Sequence, residues 1–172
     1  MYNCNFYKLR KPLNPLQKTK EIYKHRNKFD EKSLKEFSIL FLVMNNLDIF
    51  RKKIELISEI NFSSNIMNEL KKKLIDYLIS EKFFNKKKIN LEDFELKFRE
   101  IIEFINENAP VKIIYKNKNE TEIIQIFNEI VSELEKIELR KRIESLEDKV
   151  SINLDETLYS ELLQLRNQLK RG

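Results

Sequence analysis

Glycine is all but missing. The 172 residues contain one, Gly172, the last of the sequence. Loops that cradle phosphate need glycine, because only a residue without Cβ lets several backbone amides close on an anion; a P-loop or dinucleotide fingerprint is therefore excluded. Tight glycine hairpin turns are excluded with them, which argues against an all-β fold. Cysteine and histidine are nearly as scarce, with Cys4 and His25 the sole examples. One of each cannot furnish an ordinary structural zinc site. No third group is placed to orient His25 as a base for Cys4, so nucleophilic catalysis by that pair is not expected. No disulfide can close within the chain, and a reducing cytoplasm is the expected compartment. Long apolar runs are missing too. Ile39 to Met44 is the longest, far short of the roughly 18 residues of a spanning helix, and no signal peptide is visible. A membrane is not expected as a partner.

What is there suits helices. Hydrophobic residues make up 41% of the chain, enough for a core, and charged residues 35%, enough to solvate the outer faces of amphipathic helices. The length fits one domain, or one domain with an appendage. Abundant Lys, Asn and Ile beside a single Ala109 suggest AT-rich coding, a matter of background rather than function. The net charge of +5 is unevenly placed. Residues 1–32 hold nine Lys/Arg against Glu21, Asp30 and Glu31, which leaves +6 there and −1 for the rest.

Residues 1–32 also hold Pro12 and Pro15 and show no sustained period, so they form an arm or linker, with room for a short helix around Gln17–Arg26. Lys8, Arg10, Lys11, Lys18, Lys20, Lys24 and Arg26, beside Phe6, Tyr7 and Tyr23, are candidate contacts to nucleic acid phosphates. A solvated linker in a lysine-rich background is the weightier reading of the same residues.

Beyond the arm the chain reads as successive helices. Ser33-Leu-Lys-Glu36 has the form of a capping box, so a helix is expected to begin there and to run, apolar nearly all round, to Met44. A short helix of that kind belongs at the centre of a bundle. Asn45-Asn46 ends it. Leu47–Ile60 reads as a less regular helical stretch with Ile49, Phe50, Ile54, Ile57 and Ile60 inward. Ser63 or Ser64 is expected to cap a helix reaching about Lys82, with Ile66, Met67, Leu70, Leu74, Tyr77 and Leu78 on its face. Asn90 with Asp93 is expected to start the next, carrying Leu91, Phe94, Phe98, Ile101, Ile102 and Ile105, and Asn108-Ala-Pro110 to break it. Val111–Tyr115 is a short segment expected to be helical. Lys71-Lys72-Lys73 and Lys86-Lys87-Lys88 read as solvated faces or loops.

The most telling stretch is Thr121 to Val150. Ile123, Phe127, Ile130, Leu134 and Ile137 step by four and three, one face of a helix. Leu139, Ile143, Leu146 and Val150 step the same way from a start two residues on. At about 100° per residue this second stripe lies on roughly the opposite side. The first half should dock on the preceding helices. The second half should pair with the end of the chain, namely Leu158, Leu162, Leu165 and Leu169. Asn119-Glu-Thr-Glu122 is expected to cap the long helix and Asn153-Leu-Asp-Glu156 the last one, with the two antiparallel. The resulting expectation is an all-α chain: a basic arm over 1–32, a compact helical bundle over 33–137, and a C-terminal antiparallel helical hairpin over 138–172, with the long helix 119–150 shared between the last two.

Chemistry is hard to find. Glu92, Asp93, Glu95, Glu100 and Glu103 are expected on one helix, but their partners on the same surface are mostly lysines and arginines at helical spacing, which is ordinary solubilising pairing. No pocket with a perturbed carboxylate and oxyanion donors is suggested, so neither catalytic residues nor cofactor or metal ligands are expected. A helical interaction module is the stronger account. Beside the last helix's seam runs a second set at helical spacing, Tyr159, Leu163, Arg166 and Lys170. An aromatic, an aliphatic and an arginine in a row are a typical interface composition. Either they stay exposed as a partner-binding stripe, or they fold back on the bundle.

One pattern resembles a known family. Phe37-Ser-Ile-Leu-Phe-Leu-Val-Met-Asn-Asn-Leu-Asp-Ile-Phe50 is a greasy helix, an Asn-rich turn and a short second helix. Ile60-Asn-Phe-Ser-Ser64 then leads into a helix containing Glu69-Leu-Lys and Leu74-Ile-Asp-Tyr-Leu78. This is similar to the C-terminal helicase-binding domain of bacterial DNA primase, DnaG-type, in its alphaproteobacterial form, and the resemblance covers about residues 33–170. It differs in having no zinc-binding or polymerase module and no Pro in the turn Asn45-Asn-Leu-Asp48. The resemblance implies docking on the N-terminal collar of the hexameric replicative DNA helicase, recruitment of primase to the fork, no catalysis by this chain alone, and single-stranded DNA-binding protein as a further partner. Nucleic acid contact would be weak or indirect. A helicase collar module, a self-associating helical adaptor and nucleic-acid binding through the arm are the alternatives.

Overall fold

The computed structural model describes residues 29–153 and 155–171, without the side chains of Lys82 and Arg171. The basic arm's candidate contacts, Lys8 to Arg26, and Cys4 and His25 lie outside the described residues, as does the helix considered around Gln17–Arg26. From Glu31 onward the chain forms one compact unit whose regular elements are helices: α1 Glu31–Asn45, α2 Leu47–Arg51, α3 Ile54–Glu59, α4 Asn65–Ile79, α5 Leu96–Asn108, α6 Glu120–Ile152 and α7 Glu156–Arg171. Short 3-10 turns at Glu81–Phe83, Leu91–Asp93 and Pro110–Ile113 join them. Among the described residues no helix is long and apolar enough to cross a membrane.

α1 is the central element, as its all-round apolar sequence requires. Every residue from Glu36 to Met44 is buried, and α6, α5 and the 110–113 turn pack around it. Aromatic rings tie these neighbours together. Phe37 meets Phe104 edge-on at 5.5 Å, Phe41 meets Tyr115 at 5.4 Å, and the fully buried Phe50 of α2 lies 4.8 Å from Phe127 of α6. α1 stops at the two asparagines. Asn45 and Asn46 each donate their side-chain N–H to the carbonyl four residues back, at Phe41 and Leu42, satisfying two of the helix's last acceptors.

Two expected helix starts are corrected, at α1 and α5, while α4 starts after Ser64 as expected but without a side-chain cap bond. α1 begins at Glu31, before Ser33, and Glu36 does not close a capping box. Its carboxylate is buried, and Oε1 accepts from both the backbone N–H and the hydroxyl of Ser63, each at 2.8 Å. Ser63 is thereby engaged with α1 and does not cap α4. Ser64 occupies the N-cap position without a side-chain bond, and Asn68 instead links Phe62 and Ser64 through its amide. Asn90 caps only a 3-10 turn, because Asp93 accepts from the Tyr77 hydroxyl and the Lys86 ammonium, both at 2.7 Å; α5 begins at Leu96. Burial and the bond to Asp93 push the Tyr77 hydroxyl above its ordinary value. Leu47–Ile60 divides into two helices at Lys52-Lys53, and α4 ends at Ile79, short of Lys82.

The first lysine run is corrected at one position: Lys72 and Lys73 are exposed as expected, but Lys71 is not. Lys71 is only 7% exposed and donates to the carbonyls of Ser58 and Ile60, at 3.0 and 2.6 Å. It closes the C-terminus of α3, where orphan carbonyls and the helix dipole favour a cation. Burial lowers its ammonium below the usual lysine range. Arg51 does similar work, donating to Leu78 at the end of α4 and to Phe83 and Phe84 beyond it, with its guanidinium 4.9 Å from the Phe84 ring centre.

Glycine's scarcity shows at the entry to α6. Asn117 takes φ 63°, a left-handed conformation that asparagine tolerates better than other residues with a side chain. Two residues on, Asn119 and Glu122 form the expected reciprocal capping box. α6 then runs unbroken for 33 residues, about 50 Å at the helical rise.

Candidate interaction surface on the C-terminal hairpin

The exchange of stripes along α6 is realised. Ile123, Phe127 and Leu134 are buried in the body, while Ile143 and Leu146 form a separate core cluster with Leu162 and Leu165 of α7. Leu139, Val150, Leu158 and Leu169 pack around that cluster. On the body side, Lys32 of α1 holds Glu138 at 2.9 Å, and Lys35 pairs with Glu133. α6 is thus bound to α1 up to Glu138 and to α7 from Leu139, the expected changeover. α7 has its main packing on α6, so the two make an antiparallel hairpin with a core of its own.

The connection is corrected in one detail. Asn153 ends α6 by donating its N–H to the Lys149 carbonyl. Asp155 starts α7, its carboxylate accepting from the backbone N–H of Thr157 at 2.8 Å and the Thr157 hydroxyl at 2.6 Å. These donors hold the Asp155 carboxyl below its ordinary range. A short carboxylate at the N-cap satisfies an orphan amide and favours the dipole.

The four stripe residues all lie on the outside of α7. Tyr159 is 51% exposed and Leu163 42% exposed, so the stripe does not fold back on the bundle. One residue offset from the seam puts Tyr159 and Leu163 about 100° around the helix from Leu158 and Leu162, too far to be covered by α6 alone. Arg166 is exposed but engaged, its Nη2 donating to Glu147 at 2.6 Å and its Nε at 3.2 Å. It faces the solvent as half of an ion pair. Arg142 and Glu161 pair across the seam as well. Lys170 is exposed with no ion pair among the described residues. The surface therefore offers an aromatic ring and a leucine with a cation at one end.

Sequence reasoning passes over several exposed apolar residues. Ile152, at the hairpin tip, is 87% exposed; it falls outside both stripes, the one signal that could have marked it. Phe84, Leu96, Ile113 and Ile114 are exposed on the body, three of them in or beside 3-10 turns where helical periodicity gives no prediction.

Fold and surface together define a class: an all-helical body that shares one long helix with a terminal hairpin. No family model, curated protein or solved structure matches the chain.

Proposed function

We propose that this chain is a docking module whose hairpin stripe, Tyr159 and Leu163 with Arg166 and Lys170, binds a protein partner, acting in the cytoplasm and performing no chemistry of its own. The observation that supports this reading is the exposure of Tyr159 and Leu163 beside a seam already filled by Leu158, Leu162 and Leu165. An exposed aromatic–aliphatic pair on a rigid helix has little conformational entropy left to lose on binding, which favours an anchor role. The partner proposed is the N-terminal collar of the replicative DNA helicase, on the resemblance of residues 33–170 to the primase helicase-binding domain; in that role the chain recruits primase to the fork.

Titration of the full chain against the replicative helicase of the same organism tests the proposal. The double variant Tyr159→Ala, Leu163→Ala should weaken binding by at least about tenfold, as loss of two anchors at an interface centre does. Unchanged affinity of the variant removes the hairpin stripe as the binding surface, and no binding by the unaltered chain removes the helicase assignment.

A further inference from the structure

A second surface lies on the body, unrelated to the stripe in sequence. α3 and the first half of α6 enclose an open groove of about 340 Å³. Leu56, Ile60, Phe127 and Val131 supply its apolar lining, and Glu59, Glu135 and Glu138 its charge, with no lysine or arginine among the lining residues. Glu138 is already held by Lys32. Glu59 and Glu135 are exposed and have no ion pair among the described residues. The groove follows α6 from Phe127 to Glu138, eleven residue steps or about 16 Å of helix. A track of that length suits a segment of chain better than a compact ligand.

The hairpin stripe has the complementary character. It runs from Tyr159 to Lys170, again eleven residue steps and about 16 Å, with apolar anchors in its first half and cations in its second. The groove has a buried floor, Ile60 and Phe127, and an exposed rim, Leu56, Glu59 and Glu135; the stripe is similar in length, and its Lys170 is opposite in charge to that rim. We propose that the stripe of one copy docks in the α3–α6 groove of a second copy. Tyr159 and Leu163 would cover Leu56 and Val131, and Lys170 would meet Glu59 and Glu135. Donor and acceptor surfaces differ, so the contact is head-to-tail and leaves one free stripe and one free groove in every dimer. The association is weak, because the groove is small and its charge pairs are solvent-exposed. The proposal uses the same stripe as helicase docking, and the two occupants compete for it.

Sedimentation of the full chain over a concentration series tests this. The unaltered chain should grow in mass as concentration rises, less so at high salt. A groove variant (Glu59→Lys, Glu135→Lys) and a stripe variant (Tyr159→Ala, Leu163→Ala) should each sediment as monomers at the same concentrations. An equal mixture of the two should regain a dimer and nothing larger, since one supplies the intact stripe and the other the intact groove. All four substitutions are on the surface, and circular dichroism confirms folding of each variant. Several results overturn the proposal: an unaltered chain that stays monomeric, a groove variant that still associates (a stripe-to-stripe contact), or a mixture that fails to recover. The helicase titration stands apart, because the groove variant should bind helicase normally whatever the sedimentation shows.

Discussion

The bundle and the hairpin share a helix but are built differently. Around α1 the bundle buries a run of nine consecutive residues and closes over them with the rings of Phe104 and Tyr115. The hairpin buries four side chains, Ile143, Leu146, Leu162 and Leu165. Full burial of such a side chain stabilises by about 1.5–3 kcal/mol, while ordering costs about 1–2 kcal/mol per residue in backbone entropy. Two helices with so small a core are marginal alone. What rescues them is α6, whose first half is already helical in the bundle, so the second half only propagates and avoids the costly nucleus. The hairpin is in this sense a dependent element. It is held rigid from one end, and one whole side of α7 remains available.

The largest effect should come from the bundle. Phe127→Ala removes a ring packed on Phe50 and should destabilise the whole chain by about 3–5 kcal/mol in chemical denaturation. Leu146→Ala should cost about 2–4 kcal/mol but act locally. Hydrogen exchange should accelerate over residues 140–171 while α1 stays protected. Equal acceleration in α1 would mean that bundle and hairpin form one cooperative unit, and the distinction between them would fail. Asn119→Ala breaks the capping box at the start of α6 and should cost about 1 kcal/mol, read as a loss in both regions, since both depend on that helix.

The smallest effect is one of pH. Glu122, bonded by Lys118 and the Asn119 amide, and Asp155, bonded by Thr157, both titrate below their ordinary values. A carboxyl lowered by folding contributes stability that is present above its unfolded value and lost as pH falls through its folded value. Acid should therefore fray the starts of α6 and α7, seen in an NMR titration as loss of protection at the Asn119 and Thr157 amides, which donate to the Glu122 and Asp155 carboxylates. Asp155 titrating at or above its ordinary value would show that α7 lacks this cap.

Most of the helices, and the change of partner along α6, are legible from residue order alone. Those features are periodic: stripes at intervals of three and four residues report which face of a helix is buried, whatever covers it. The Asn119 cap is equally local, since both of its members lie within one turn. Packing of the whole chain settled whatever depends on residues distant in sequence. Glu36 fits a capping box by spacing, yet its carboxylate serves Ser63, 27 residues on. Lys71 reads as one of three solvated lysines until α3 places its carbonyls over it. Asp93 is drawn from helix capping by Tyr77 and Lys86. Arg166 reads only as part of the partner-binding stripe until the hairpin sets Glu147 beside it. The groove belongs to neither α3 nor α6 alone, and no single stretch of sequence contains it. Polar side chains can satisfy themselves with any donor or acceptor within reach, and only the packed chain determines which one that is.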